Sequence, residues 1–74
     1  MYDFPRRLKY LREINGLDRK QFADKINTST ATVSRYENDK MRPTLENAIT
    51  IANTFGVSLD WLAGYGDIDS LTKE

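Results

Sequence analysis

Residues 18–38 read Asp18-Arg19-Lys20-Gln21-Phe22-Ala23-Asp24-Lys25-Ile26-Asn27-Thr28-Ser29-Thr30-Ala31-Thr32-Val33-Ser34-Arg35-Tyr36-Glu37-Asn38, and the fold turns on this stretch. Asp18 is an N-cap by residue type, and Gln21, three residues on, completes a capping-box pair with it. Phe22, Ala23 and Ile26 then recur at helical spacing, and Asn27, one of the few non-glycine residues that accept the left-handed conformation, breaks the helix. Ser29 or Thr30 caps a second helix that runs to about Asn38, with Val33 and Tyr36 facing inward and Ala31 or Thr32 at the margin. Thr30, Ser34 and Arg35 point elsewhere, so the outer side of this helix is rich in hydrogen-bonding groups and poor in ordinary solvating charge. Ala23 is small where two helices must approach, and Val33 faces back toward it. The pattern is helix, tight turn, helix, crossing steeply, with the N-terminal half of the second helix presented outward.

The flanks supply the rest of a small core. Asp3 is the residue type to cap a first helix with Pro5 in its opening turn, Phe4, Leu8, Leu11 and Ile14 form its apolar stripe, and Asn15-Gly16 ends it. Asp39 to Pro43 reads as a loop, because Pro43 disfavours helix at the residue before it. Thr44 caps a fourth helix with Leu45, Ala48, Ile49, Ala52 and Phe55 on one face, stopped by Gly56. Ser58 opens a last short helix carrying Leu59, Trp61 and Leu62, ended by Gly64. The expectation is an all-α domain of five short helices over residues 1–64, followed by a C-terminal tail or linker stub over 65–74.

Size and composition narrow the function. A 74-residue chain holds one core, and a domain this small buries only about 60% of its unfolded surface, which leaves little room for a catalytic cavity. With neither cysteine nor histidine, thiolate and imidazole metal sites and disulfides are excluded, and the carboxylates fall on caps and exposed faces. A non-enzymatic binding module without metal or cofactor is therefore expected. No run approaches the roughly 18 apolar residues of a membrane span, and the N-terminus lacks the apolar region of a secretory signal, so the expected location is the cytoplasm.

Formal net charge is zero, which looks unsuited to an anionic partner. The sum conceals an asymmetry. Through Arg42 there are ten basic and six acidic residues, and after Pro43 one basic and five acidic. One end of the chain is positive and the other negative, an arrangement that can orient the molecule on an anion.

The chain resembles the Cro/cI, or XRE-like, helix-turn-helix repressors of phages and bacteria. The resemblance rests on Leu17 with Gln21-Phe22-Ala23-Asp24-Lys25-Ile26, on Val33-Ser34-Arg35-Tyr36-Glu37-Asn38, on Pro43-Thr44-Leu45, and on Ile51-Ala52 with Phe55-Gly56-Val57-Ser58-Leu59-Asp60-Trp61-Leu62. It runs from about Phe4 to Gly64. It implies a lambda-repressor-like fold with the helix-turn-helix at about 18–38, and a transcriptional repressor or regulator that binds a palindromic operator in double-stranded DNA as a homodimer. It further implies that Thr30, Ala31, Ser34 and Arg35 face base edges, with Arg35 suited to guanine O6 and N7. Arg19, Gln21, Asn38, Lys40 and Arg42 would meet the phosphate backbone. Arg12 and Glu37 would form a structural ion pair, and the segment Val57 to Trp61, or else Ile68 and Leu71, would serve self-association.

Each assignment has a plainer counterpart. Lys40 and Arg42 are also ordinary solvated loop charges, Thr30 and Ser34 ordinary surface or caps, Tyr36 half-buried packing, and Trp61 core or dimer surface. Two positions depart from the family pattern: Asp39 stands where glycine is common, and Asp18 where threonine or serine is common; both put negative charge near DNA. The acidic second half and the missing glycine support the alternative of a protein-interaction module, such as an antitoxin or anti-repressor partner.

Overall fold

The computed structural model describes residues 2–72. Five helices follow in order: α1 (Phe4–Ile14), α2 (Arg19–Lys25), α3 (Thr30–Glu37), α4 (Leu45–Phe55) and α5 (Leu59–Ala63), then a 3₁₀ turn (Ile68–Thr72). Among the described residues there is no strand, and no helix is long and apolar enough to cross a membrane.

The boundaries follow from local chemistry. The Asp18 carboxylate accepts from the Gln21 N–H at 2.8 Å while the Gln21 side-chain oxygen accepts from the Asp18 N–H at 2.9 Å, closing the capping box that opens α2. Ser29 caps α3, Thr44 caps α4 and Ser58 caps α5, each accepting from the N–H three residues on. Asn27 turns the chain between α2 and α3 at φ 59°, and the Thr28 N–H returns to the Ala23 carbonyl at 2.9 Å. The end of α3 is a Schellman turn: Lys40 N–H bonds the Arg35 carbonyl at 2.8 Å and Asp39 N–H the Tyr36 carbonyl at 3.3 Å. Asp39 takes the left-handed position at φ 56°, so the missing glycine alters the strain of this turn and leaves its hydrogen bonding intact.

The core collects the inward faces of all five helices. Phe4, Leu8 and Leu11 from α1 meet Phe22, Ala23 and Ile26, then Val33 and Tyr36, then Ile51, Trp61 and Leu62. Tyr36 is buried, edge-on to Phe4 at 5.5 Å, and Phe22 stacks flat on Phe55 at 4.7 Å. Each such buried side chain contributes about 1.5–3 kcal/mol relative to leaving it exposed.

Four expectations are corrected. Asp3 precedes α1, but its side chain caps no backbone N–H; it binds the guanidinium groups of Arg6 at 2.8 Å and Arg7 at 3.2 Å instead, because charge-assisted bonds outcompete a neutral N–H. Ile14, placed on the apolar stripe of α1, is exposed at the helix end. In α4 the buried edge is Ile51 with Ala52, and Leu45 and Ile49 face solvent: the helix is rotated so that its stripe centres on 48, 51, 52 and 55. The segment after Gly64, expected as a tail, is packed through Ile68. The Trp61 indole N–H donates to the carbonyls of Asp67 and Ile68, and Ile68 lies against the core.

The agent of that last anchoring is Arg7, which is buried to 3% exposure. Its guanidinium donates to the carbonyls of Trp61, Gly64, Tyr65 and Gly66 at 2.6–3.2 Å and lies over the Trp61 ring at 5.3 Å. A fixed fork of five donors suits a helix C-terminus with several open carbonyls, where positive charge also meets the negative end of the dipole.

Candidate nucleic-acid interface

The candidate interface is the outer side of α3 with the N-terminus of α2 and the loop after α3. Its placement begins in the core: Val33 is fully buried and Tyr36 nearly so, which fixes the rotation of α3. With those two inside, Thr30, Ala31 and Arg35 are exposed and Ser34 is half-buried. Among the described residues the Arg35 guanidinium has no side-chain partner, so all five of its donors remain available. Thr30, Ala31, Ser34 and Arg35, two adjacent pairs one helical turn apart, thus form a polar or small flank of α3 that makes no ion pair among the described residues.

Glu37 ties the C-terminal end of α3 to α1 and α2. Its carboxylate, 2% exposed, takes Arg12 Nε at 2.7 Å and Arg12 Nη2 at 3.1 Å, and Arg19 Nε at 3.1 Å. The bond to Glu37 holds the Arg12 guanidinium pKa above its ordinary value, against a smaller opposing effect of burial. Arg12 also donates to the Leu17 carbonyl at 3.1 Å, so one side chain ties α1 to the entry of α2 and to the end of α3. Arg12 thus faces inward. Arg19 engages Glu37 through Nε alone, and its side chain is 43% exposed at the start of α2.

The remaining residues expected at phosphate are divided by the structure. Gln21 is exposed and spends its oxygen on the cap, leaving its NH₂ open. Lys40 is exposed in the loop after α3. Arg42 sits over the Tyr2 ring at 4.1 Å, at the groove lined by residues of α4 and α5. Asn38 folds back on its own helix: its NH₂ donates to the Ser34 carbonyl at 2.9 Å and lies 3.3 Å from the Ser34 hydroxyl oxygen.

Sequence reasoning missed Arg7 and the second guanidinium on Glu37. The signal for Arg7 was present, since positions 4, 7, 8 and 11 form one helical stripe and an arginine occupies the second of them. It also missed a groove of about 410 Å³ between the N-terminus, α4 and α5, walled by Tyr2, Pro43, Leu45 and Leu59 and floored by Phe4 and Leu62. Leu45 is 71% exposed and Ile49 40%, an unusual amount of free apolar surface on one helix.

Comparison with known proteins bears on this arrangement. Residues 8–62 match the helix-turn-helix family model. The chain is 36% identical over 62 residues to an uncharacterized HTH-type transcriptional regulator of Haemophilus influenzae, covering 82% of this chain and 25% of the relative. It is 32% identical over 63 residues to the HTH-type transcriptional regulator ImmR of Bacillus subtilis, covering 85% and 50%. A Methanocaldococcus jannaschii protein of the same description is 34% identical over 61 residues, covering 82% of this chain and 92% of that one. Several of these relatives are longer, and this chain spans a quarter to about half of the first two. In structure the chain is similar to a transcriptional regulator from Listeria innocua, with TM-score 0.81, 33% identity, and coverage of 90% of this chain and 63% of that one. It shares the fold of the P22 c2 repressor, solved with a synthetic operator, at TM-score 0.81 and 17% identity over 89% of this chain and all of that one. With the family model spanning the whole of α2 to α4, the chain belongs to the helix-turn-helix family of transcriptional regulators, of the Cro/cI type its sequence resembles.

Proposed function

We propose that this protein binds double-stranded DNA sequence-specifically as a homodimer on a pseudo-palindromic operator, and represses transcription by occupying it. The observation that carries the reading is the outer side of α3: Thr30, Ala31 and Arg35 exposed on a helix whose rotation is fixed by Val33 and Tyr36. An outward α3 fits the major groove, where Arg35 is suited to guanine and the Ala31 and Thr30 methyls to thymine. Arg19, Gln21 and Lys40 are disposed to take phosphates on either side, which sets register and supplies affinity at low salt. Arg42 contributes less to this, since it is engaged with Tyr2. Such DNA chemistry takes place in the cytoplasm of a bacterium or on behalf of its phage, with no metal or cofactor required.

A dimer is needed because one α3 reads too few base pairs for a useful specificity ratio. The surface that supports it is the apolar groove lined by Leu45 and Leu59, together with the exposed Ile49 one turn along α4, a patch whose burial between two copies would remove apolar area from water. Of the segment Val57 to Trp61, Leu59 and Asp60 line this groove, whereas Trp61 is buried and Val57 packs on the core. Ile68 packs on the core too.

The test is affinity selection from a random double-stranded DNA library, with Arg35→Ala in parallel. Enrichment of a two-fold-related motif, with discrimination at one position per half-site falling by about 1–3 kcal/mol in the variant, supports the reading. A folded protein that enriches no sequence at low salt overturns it.

A further inference from the structure

We infer that Asn38 is a positioning residue that holds the Ser34 hydroxyl as an outward hydrogen-bond donor, so that α3 reads an acceptor edge at the base Ser34 faces. The inference rests on the DNA-binding reading above and adds to it the polarity of one contact.

A serine hydroxyl is ambiguous: it donates one bond and accepts two, and alone it discriminates poorly between base edges. On a helix it usually spends its proton on the carbonyl four residues back. In α4 the threonines do this: Thr50 donates to the Glu46 carbonyl at 3.2 Å and Thr54 to the Thr50 carbonyl at 2.7 Å. At the start of α3, one of the Ser29 and Thr32 hydroxyls donates to the other at 2.9 Å. Ser34 differs. Among the described residues its hydroxyl proton has no acceptor, and the side-chain group beside it is a donor, the NH₂ of Asn38 at 3.3 Å.

The orientation of that amide is not a free choice. The same NH₂ lies 2.9 Å from the Ser34 backbone carbonyl, which can only accept, so the nitrogen side of Asn38 must face Ser34. Asn38 is held there in turn, because it is the C-cap of α3 and its own N–H bonds the Ser34 and Tyr36 carbonyls. With one lone pair of the Ser34 oxygen taken by Asn38, the proton points away, toward the exposed flank shared with Thr30, Ala31 and Arg35. Major-groove acceptors are N7 and O6 of guanine, N7 of adenine and O4 of thymine; the amino edge of cytosine is a donor and is rejected. Arg35, the next residue, is also donor-only, so adjacent positions of α3 call for acceptors on successive bases.

The experiment is the same random-library selection with wild type, Ser34→Ala, Asn38→Ala and the double variant, each checked for its fold by thermal melting. The wild type is expected to disfavour cytosine at one position per half-site, beside the position lost in Arg35→Ala. Ser34→Ala and Asn38→Ala should each flatten that position by about three- to ten-fold, the worth of one net hydrogen bond, with the other positions intact. The double variant should go no further than either single one. Equal weakening by Asn38→Ala at every position would make Asn38 an ordinary phosphate contact and overturn the inference, as would an unchanged base preference in Ser34→Ala. A motif in the wild type that neither variant alters sinks this inference and leaves the DNA-binding reading standing; no motif in the wild type sinks both.

Discussion

α3 and α4 each turn one side to the core and the other to solvent, and the two solvent sides are chemically opposite. That of α3 offers hydroxyls, a methyl and a free guanidinium; that of α4 offers Leu45 and Ile49, beside a groove floored by Phe4 and Leu62. A polar flank loses nothing in water and gains specificity in a groove of donors and acceptors, whereas an exposed leucine costs free energy until something covers it. The difference teaches that one small core in a 74-residue chain holds two outward surfaces of opposite chemistry in fixed relation through the buried residues between them.

The largest expected effect attacks what holds α3 in place. Arg12→Ala removes two bonds from a Glu37 carboxylate that is 2% exposed, and Arg19 compensates only in part. A loss of about 3 kcal/mol, near the lower end for a broken buried pair, should lower the melting temperature by roughly 12–24 °C. A change of under 1 kcal/mol would mean that Arg19 carries Glu37 alone.

Next in size is Arg7→Met, which keeps bulk and deletes the donors to four carbonyls. The cost should be about 2–3 kcal/mol, and the chain after Gly64 should become open to limited proteolysis while α3 stays protected. Loss of protection in both regions together would show that they are one cooperative unit.

Asp39→Gly runs the other way. Relief of a left-handed non-glycine residue should stabilise the domain by about 1 kcal/mol. The same change removes a negative charge from the loop after α3, so operator affinity at low salt should rise with stability, while the α4 side is indifferent to it.

Leu45→Ser should barely move the melting temperature, within about 0.5 kcal/mol, since Leu45 is 71% exposed. Its effect belongs to assembly: sedimentation equilibrium should report weaker self-association, with binding to an isolated half-site unchanged. Equal loss of half-site binding would mean that the two surfaces are not separable.

Much of this was legible in the chain because the signals are local. Capping pairs, the Asn27 break, Pro43 and the glycine stops depend on neighbours within four residues, and the five helices stand where those signals put them. The rotation of α3 was legible too, since it has few apolar residues and Val33 and Tyr36 leave one choice. The rotation of α4 was not: it carries Leu45, Ile49 and Ile51 in addition to Ala48, Ala52 and Phe55, two overlapping stripes, and only packing selects between them.

The sequence by itself determined an all-helical fold, the helix-turn-helix between 18 and 38, and which residue types lie on its outer side, because helical period and capping chemistry are short-range. Only the tertiary structure decided where the long polar side chains go. Arg7, Arg19, Arg42 and Asn38 each have several partners within reach, at Gly66, Glu37, Tyr2 and Ser34 in the end, and those partners come together only once the chain has folded or the helix has formed. A flexible side chain with charge to satisfy takes the best acceptor or ring that packing brings to it, and sequence spacing does not record which one that is.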